Sequence, residues 1–161
     1  MNEVGDALRD ELRAARQALI AKFQSQHNVE RLLRGLSGAV DHVLRRAVRH
    51  AGLDRTTAVI AVGGYGRAAL FPHSDVDILI VPGATPDADT QARIERLVSL
   101  LWDLGLHLGH IVRTLDECRT EAHNDVTVLT SLLEARLVIG PRLLYQGLSE
   151  IIVSCIDRPA F

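Results

Sequence analysis

Residues 63–77 read GGYGRAALFPHSDVD, and this stretch decides the fold. It lies between two short apolar runs. Residues 56–62 (TTAVIAV) are β-branched and followed by glycine, the pattern of a buried strand. Residues 75–81 (DVDILIV) begin with two aspartates and are then apolar on both faces, as in the middle of a covered sheet; Pro82 and Gly83 stop them. Alternation along a strand puts Asp75 and Asp77 on one face. Two adjacent carboxylates repel each other, a divalent cation removes that cost, and hard oxygen ligands favour Mg²⁺ or Mn²⁺. Gly63 and Gly64, lacking side chains, let a phosphate approach their backbone N–H groups. Arg67 can neutralise phosphate charge, and Ser74 offers a hydroxyl beside the pair. Each has a plainer alternative: strand-entry aspartates, a tight turn, a solvated arginine, a capping serine. Taken together they point to metal-assisted phosphoryl or nucleotidyl transfer.

Other phosphate motifs fit less well. Gly64, Gly66 and Ala69 match G-x-G-x-x-A, but a dinucleotide fingerprint needs a full helix next and an acid about 20 residues on. Pro72 cuts that helix short and the acids arrive too early. No Gly-Lys-Ser/Thr phosphate loop occurs. Seven histidines include His73, His107 and His110, with no H-E-x-x-H or Cys/His cluster for zinc. His110 is read as a satisfied, partly buried residue that could still face the site. Cys118 and Cys155 are read as small core residues on helices.

Upstream, Leu8, Leu12, Ala15, Leu19 and Phe23 mark one helical face. After a break at SQHN, Asn28 caps a second helix lined by Val29, Leu32, Leu33, Leu36, Val40, Val43, Leu44 and Val48, which Gly52 ends. Downstream, Thr85 is read as the cap of a third helix, with Pro86 at its first position and Asp87 in its first turn, along Ile94, Leu97, Val98, Leu101 and Leu104. Residues 107–113 (HLGHIVR) read as a third strand. Thr114 and Glu117 have capping-box spacing. Val126, Leu129, Leu132 and Leu133 mark another helix, and Pro141 opens a last one. The order implies an α/β (α+β) domain: a small mixed sheet with helices on one side, two helices before it and a helical segment after it.

The composition narrows the function. The chain has 161 residues, 47% hydrophobic, which suits one globular domain with an appendage. Lys+Arg 18 against Asp+Glu 20 and 4% aromatics disfavour a nucleic-acid binder. Lys22 is the sole lysine. The N-terminus lacks an apolar signal core and no apolar stretch reaches the roughly 20 residues of a membrane span, so a cytoplasmic protein is expected.

The central motif resembles the nucleotidyltransferase signature of the DNA polymerase β superfamily: a glycine pair, a short helix, then D-x-D on a strand. More narrowly, nearly the whole chain is similar to the N-terminal domain of bacterial protein-PII uridylyltransferases, through residues 29–36 (VERLLRGL), 101–105 (LWDLG), 109–118 (GHIVRTLDEC) and 125–136 (DVTVLTSLLEAR). The resemblance implies transfer of UMP from UTP to a tyrosine of the nitrogen-signalling protein PII, with release of pyrophosphate. It implies Asp75 and Asp77 as catalytic metal ligands, and Gly63 and Gly64 as the triphosphate-receiving pair. The nucleophile belongs to PII, so neither Tyr65 nor Tyr145 is required. The superfamily usually adds a third carboxylate on a later strand; HLGHIVR holds none, and the nearby acids Asp103, Asp116 and Asp125 read better as helix-surface or capping residues, with Asp125, in the family-like DVTVLTSLLEAR, the least unlikely ligand of the three. Uracil selectivity rests on the resemblance alone. The expected organisation is an N-terminal helical region (1–52), a nucleotidyltransferase core (53–140) and a C-terminal helix (141–161) that starts a truncated continuation. The family's uridylyl-removing hydrolase domain and glutamine-sensing domains would lie beyond it. The alternatives are a nucleotide-binding or interaction module inactive alone, and a related nucleotidyltransferase with another acceptor.

Overall fold

A computed structural model of the chain describes residues 3–53 and 55–157. Residues 158–161, on which the expected continuation rests, lie outside them. Two long helices come first, α1 (Glu3–Gln26) and α2 (Val29–Ala51). The break between them is sharp: His27 takes a positive φ of 54°, and the Asn28 side chain accepts from Arg31 N–H at 3.0 Å. Gly52 ends α2 in the left-handed region, φ 70°.

The sheet follows. Strand β1 (Thr57–Ala61) leads into a one-turn helix α3 (Gly63–Gly66), and β2 (Val76–Pro82) returns antiparallel to β1. Helix α4 (Ala88–Asp103) crosses over to β3 (Leu108–Val112), which is parallel to β2. After α5 (Leu115–Asn124) and α6 (Val126–Leu133) come β4 (Arg136–Ile139), antiparallel to β1, and α7 (Arg142–Ile156). The strand order is β3-β2-β1-β4. No described helix is long and apolar enough to cross a membrane.

Three expectations change. The helices cover both faces of the sheet, not one. Val59, Ala61, Val76, Ile78 and Ile80 face a core shared with α1, α2 and α4. The alternate residues Ala58, Ile60, Leu79 and Val81 face a second core with α5, α6 and α7. A strand apolar on both faces needs both covered. Second, β4 is an additional strand: RLVI is four residues long and shows no alternation, and it follows the leucines that end α6 after only Glu134 and Ala135. Third, the cap of α4 is Asp87, whose carboxylate accepts from Thr90 N–H at 2.8 Å, in place of Thr85. The capping box of Thr114 and Glu117 forms as read.

Candidate active site

The site grows from the end of the β1–β2 hairpin. Asp77 lies on β2 on the face of Leu79 and Val81; Asp75, expected on the same strand, instead stands just before it, because the paired segment begins at Val76. Val62 N–H donates to the Asp77 carbonyl at 3.1 Å, so the glycine turn opens directly opposite this residue. Gly63 has φ +57°, a conformation that favours glycine, and a methyl built on it would lie 3.7 Å from Asp77 Oδ2. On the other side β3 places Gly109 in register with Asp77. The Asp77 carboxylate therefore sits between two glycines, Gly63 and Gly109. Burial, and secondly the charge of Asp75, push its pKa above the ordinary carboxylate value. Among the described residues neither carboxylate has an ion-pair or hydrogen-bond partner.

The glycine turn is held from below. The Tyr65 side chain is fully buried, and its hydroxyl donates to Asp41 Oδ1 at 2.6 Å. Arg136 clasps the same carboxylate through Nη1 (2.7 Å) and Nη2 (3.1 Å). It also donates to the carbonyls of Tyr65 (3.2 Å) and Gly66 (3.3 Å). Burial, then Asp41, drives the Tyr65 hydroxyl pKa upward, so this phenol stays neutral and is no nucleophile. Ser37 Oγ on α2 accepts from Leu70 N–H at 3.1 Å. A methyl at Gly66 would run into the Glu134 carbonyl, so α3 rests against the α6–β4 joint. A half-buried charged network of this kind fixes position more than it adds stability.

In α3 the N–H groups of Gly63 and Gly64 belong to the first helical turn, which has no intrahelical acceptors, so they are placed to receive an anion. Arg67 lies beside them: its Nη2 would be 3.7 Å from a methyl on Gly64, and its Nη1 donates to Glu134 Oε1 at 2.8 Å. Ser74 closes a turn, its Oγ accepting from Phe71 N–H at 3.2 Å.

Other candidates lie elsewhere. His110 pairs with Ile78, not Asp77, so it points to the opposite face, where its ring meets Trp102 at 6.0 Å; it is also exposed rather than partly buried. Asp125 caps α6, accepting from Thr127 N–H at 2.7 Å, a bond that lowers its carboxyl pKa. Asp116 pairs with Arg119 at 3.1 Å, and Asp103 is exposed at the end of α4. Among the described residues no three His, Cys, Asp or Glu side chains gather as a metal site. Cys118 is buried in the second core, where burial pushes its thiol up to about 11. Tyr145 donates to the Ala135 carbonyl at 2.9 Å. Sequence reasoning did not single out Gly109, Glu134, Asp41 or Arg136. Only Gly109 left a signal there, as a glycine inside a strand, which marks a close approach.

No family model matches the chain. It is 47% identical over 154 residues to the bifunctional uridylyltransferase/uridylyl-removing enzyme of Cupriavidus pinatubonensis and 48% identical over 154 residues to that of Cupriavidus metallidurans. The enzyme of the same name from Burkholderia thailandensis is 47% identical over 154 residues. These alignments take in 94–96% of this chain but 18% of each relative, so the chain spans less than a fifth of the length of the curated relatives it matches.

Proposed function

We propose that this chain, homologous over nearly all its length to a segment of the bifunctional uridylyltransferase/uridylyl-removing enzymes, is a metal-dependent nucleotidyltransferase domain that moves UMP from UTP to a tyrosine of the signalling protein PII. The observation that carries the reading is Asp77 set against the glycine turn, its carboxylate 3.7 Å from the place of a Gly63 side chain, with the charge of Asp75 near enough to act on it. The residues fit Mg²⁺ or Mn²⁺. The donors are oxygens, the charge of Asp75 adds to burial in raising the proton affinity of Asp77, and among the described residues no protein cation pairs with either carboxylate. Mg²⁺ is commonly held by one or two carboxylates with substrate phosphates and waters, so a third carboxylate is not needed. Bound there, the ion would supply charge neutralisation at the α-phosphate and ease ionisation of the attacking hydroxyl.

The chain's own groups do the rest. The Gly63 and Gly64 N–H groups take phosphate oxygens, and Arg67 balances the charge that moves onto the leaving pyrophosphate. Ser74 holds the turn that delivers Asp75. The tyrosine hydroxyl gives its proton to solvent, its oxygen bonds to the α-phosphorus, the bond from that phosphorus to the bridging oxygen breaks, and pyrophosphate departs. In this reading residues 53–140 carry the chemistry, residues 1–52 buttress it, and the reaction takes place in the cytoplasm.

The test is to incubate the chain with Mg²⁺, PII and each nucleoside triphosphate in turn and to weigh PII by intact mass. A gain of one UMP, seen only with UTP and metal, supports the reading. Transfer without metal, or from every triphosphate alike, overturns it. Metal-dependent UTP binding without a mass gain would favour a binding module that needs more protein to act.

A further inference from the structure

We infer that Glu134 is a positioning residue for the triphosphate, acting through Arg67. The inference rests on the proposed nucleotidyltransferase reading and extends it to a residue outside the central motif.

Glu134 stands at the C-terminal cap of α6, far along the chain from the glycine turn, yet it engages that turn twice. Its backbone carbonyl lies where a Gly66 side chain would be, so the main chain of the α6–β4 joint is pressed against α3. Its carboxylate accepts from Arg67 Nη1 at 2.8 Å. The other terminal nitrogen of Arg67, Nη2, is the one beside Gly64. A guanidinium is a rigid planar fork, so holding one nitrogen fixes the direction of the other. With Nη1 held by Glu134, Nη2 is kept beside Gly64, at the glycine turn proposed to receive the triphosphate. Without that hold, Arg67, whose side chain is 60% exposed, is free to swing into solvent.

The charge of the pair matters less than its geometry. An ion pair this exposed is strongly screened. What Glu134 contributes is an acceptor that keeps a long side chain in one rotamer, and the entropy of ordering it is then met before the nucleotide arrives. An amide oxygen at the same place accepts the same hydrogen bond. This distinguishes a positioning role from a purely electrostatic one.

The experiment measures Mg²⁺–UTP binding to the 161-residue chain by calorimetry, for wild type, Glu134→Ala, Glu134→Gln, Arg67→Ala and the double variant. Glu134→Ala is expected to weaken UTP binding about two- to fivefold, the range of an exposed pair, with an unchanged circular dichroism spectrum. Glu134→Gln recovers most of the loss. In the Arg67→Ala background Glu134→Ala has no further effect, because there is no guanidinium left to aim. Tighter binding by Glu134→Ala would make Glu134 a competitor for Arg67 and overturn the inference. So would an undiminished loss in the Arg67→Ala background, or equal loss by the Gln and Ala variants. If wild type itself fails to bind UTP with metal, the parent reading falls first; if wild type binds and Glu134→Ala binds equally well, only this inference falls.

Discussion

Replacing Gly109 by alanine tests the position of Asp77 without touching Asp77. A methyl built on Gly109 would lie 2.1 Å from Asp77 Oδ1 and 3.3 Å from its Cγ. Ordinary contact begins at 3.4 Å, so the oxygen must retreat by about 1.3 Å. On its other side the carboxylate already faces Gly63, so the carboxylate has to rotate out of its place between the two glycines. A displacement of about 1 Å at a reacting centre costs roughly a hundredfold in rate. Stability should barely move. Alanine is favoured over glycine inside a strand by about 0.5–1 kcal/mol, and an off-rotamer aspartate costs about 0.5–1.5 kcal/mol. The two nearly cancel, leaving a melting temperature within roughly 4 °C of wild type. The assay is Mg²⁺-dependent UMP transfer to PII beside a thermal melt. A Gly109→Ala protein that melts like wild type and transfers at the wild-type rate would refute the reasoning, because Asp77 would then not act from where it stands.

Asp77→Asn is expected to keep its circular dichroism spectrum while losing metal-dependent transfer by about a hundredfold or more. Mg²⁺ should raise the melting temperature of wild type and leave that of the variant unmoved. Ala68 carries φ +56°, a backbone conformation costing a non-glycine residue about 1 kcal/mol. Ala68→Gly should therefore raise the melting temperature by roughly 2–4 °C, and a lower value would speak against the turn as described. At the α4 cap, bonding to Thr90 N–H holds the Asp87 carboxyl below its ordinary pKa. Such a group stabilises the fold above its unfolded pKa, and the benefit is lost as pH falls through the folded one. The melting gap between wild type and Asp87→Ala should thus be widest near neutrality and close below the ordinary aspartate pKa, about 3.9; a gap independent of pH would contradict the cap.

The chemistry of this site is local and its support is not, and that division explains what could be read from the residues. The glycine turn and both aspartates fall within residues 63–77, where each reading needs only a β-branched run, a glycine boundary and the alternation of a strand. The hairpin pairing of β1 with β2 follows from the same short range. What positions the turn comes from afar. Tyr65 is held by Asp41, 24 residues earlier, and Asp41 is clasped by Arg136, 95 residues later. Arg67 is held by Glu134 across 67 residues. Spacing along the chain carries no trace of such pairs, and β4, which brings Arg136 beneath the turn, is itself hidden at the end of an apolar helix. The same division sets what substitution does. On the proposed reading, changes at Asp75 or Asp77 act on bonds to metal and substrate and should leave the fold standing, whereas a side chain at Gly63 also strains a backbone held at φ +57°. A change at Asp41 strands the Arg136 charge and frees the Tyr65 hydroxyl beneath the turn, so it should lower stability and nucleotide affinity together. A variant at Asp41 that melted like wild type but bound no UTP would mean that this network touches the nucleotide directly.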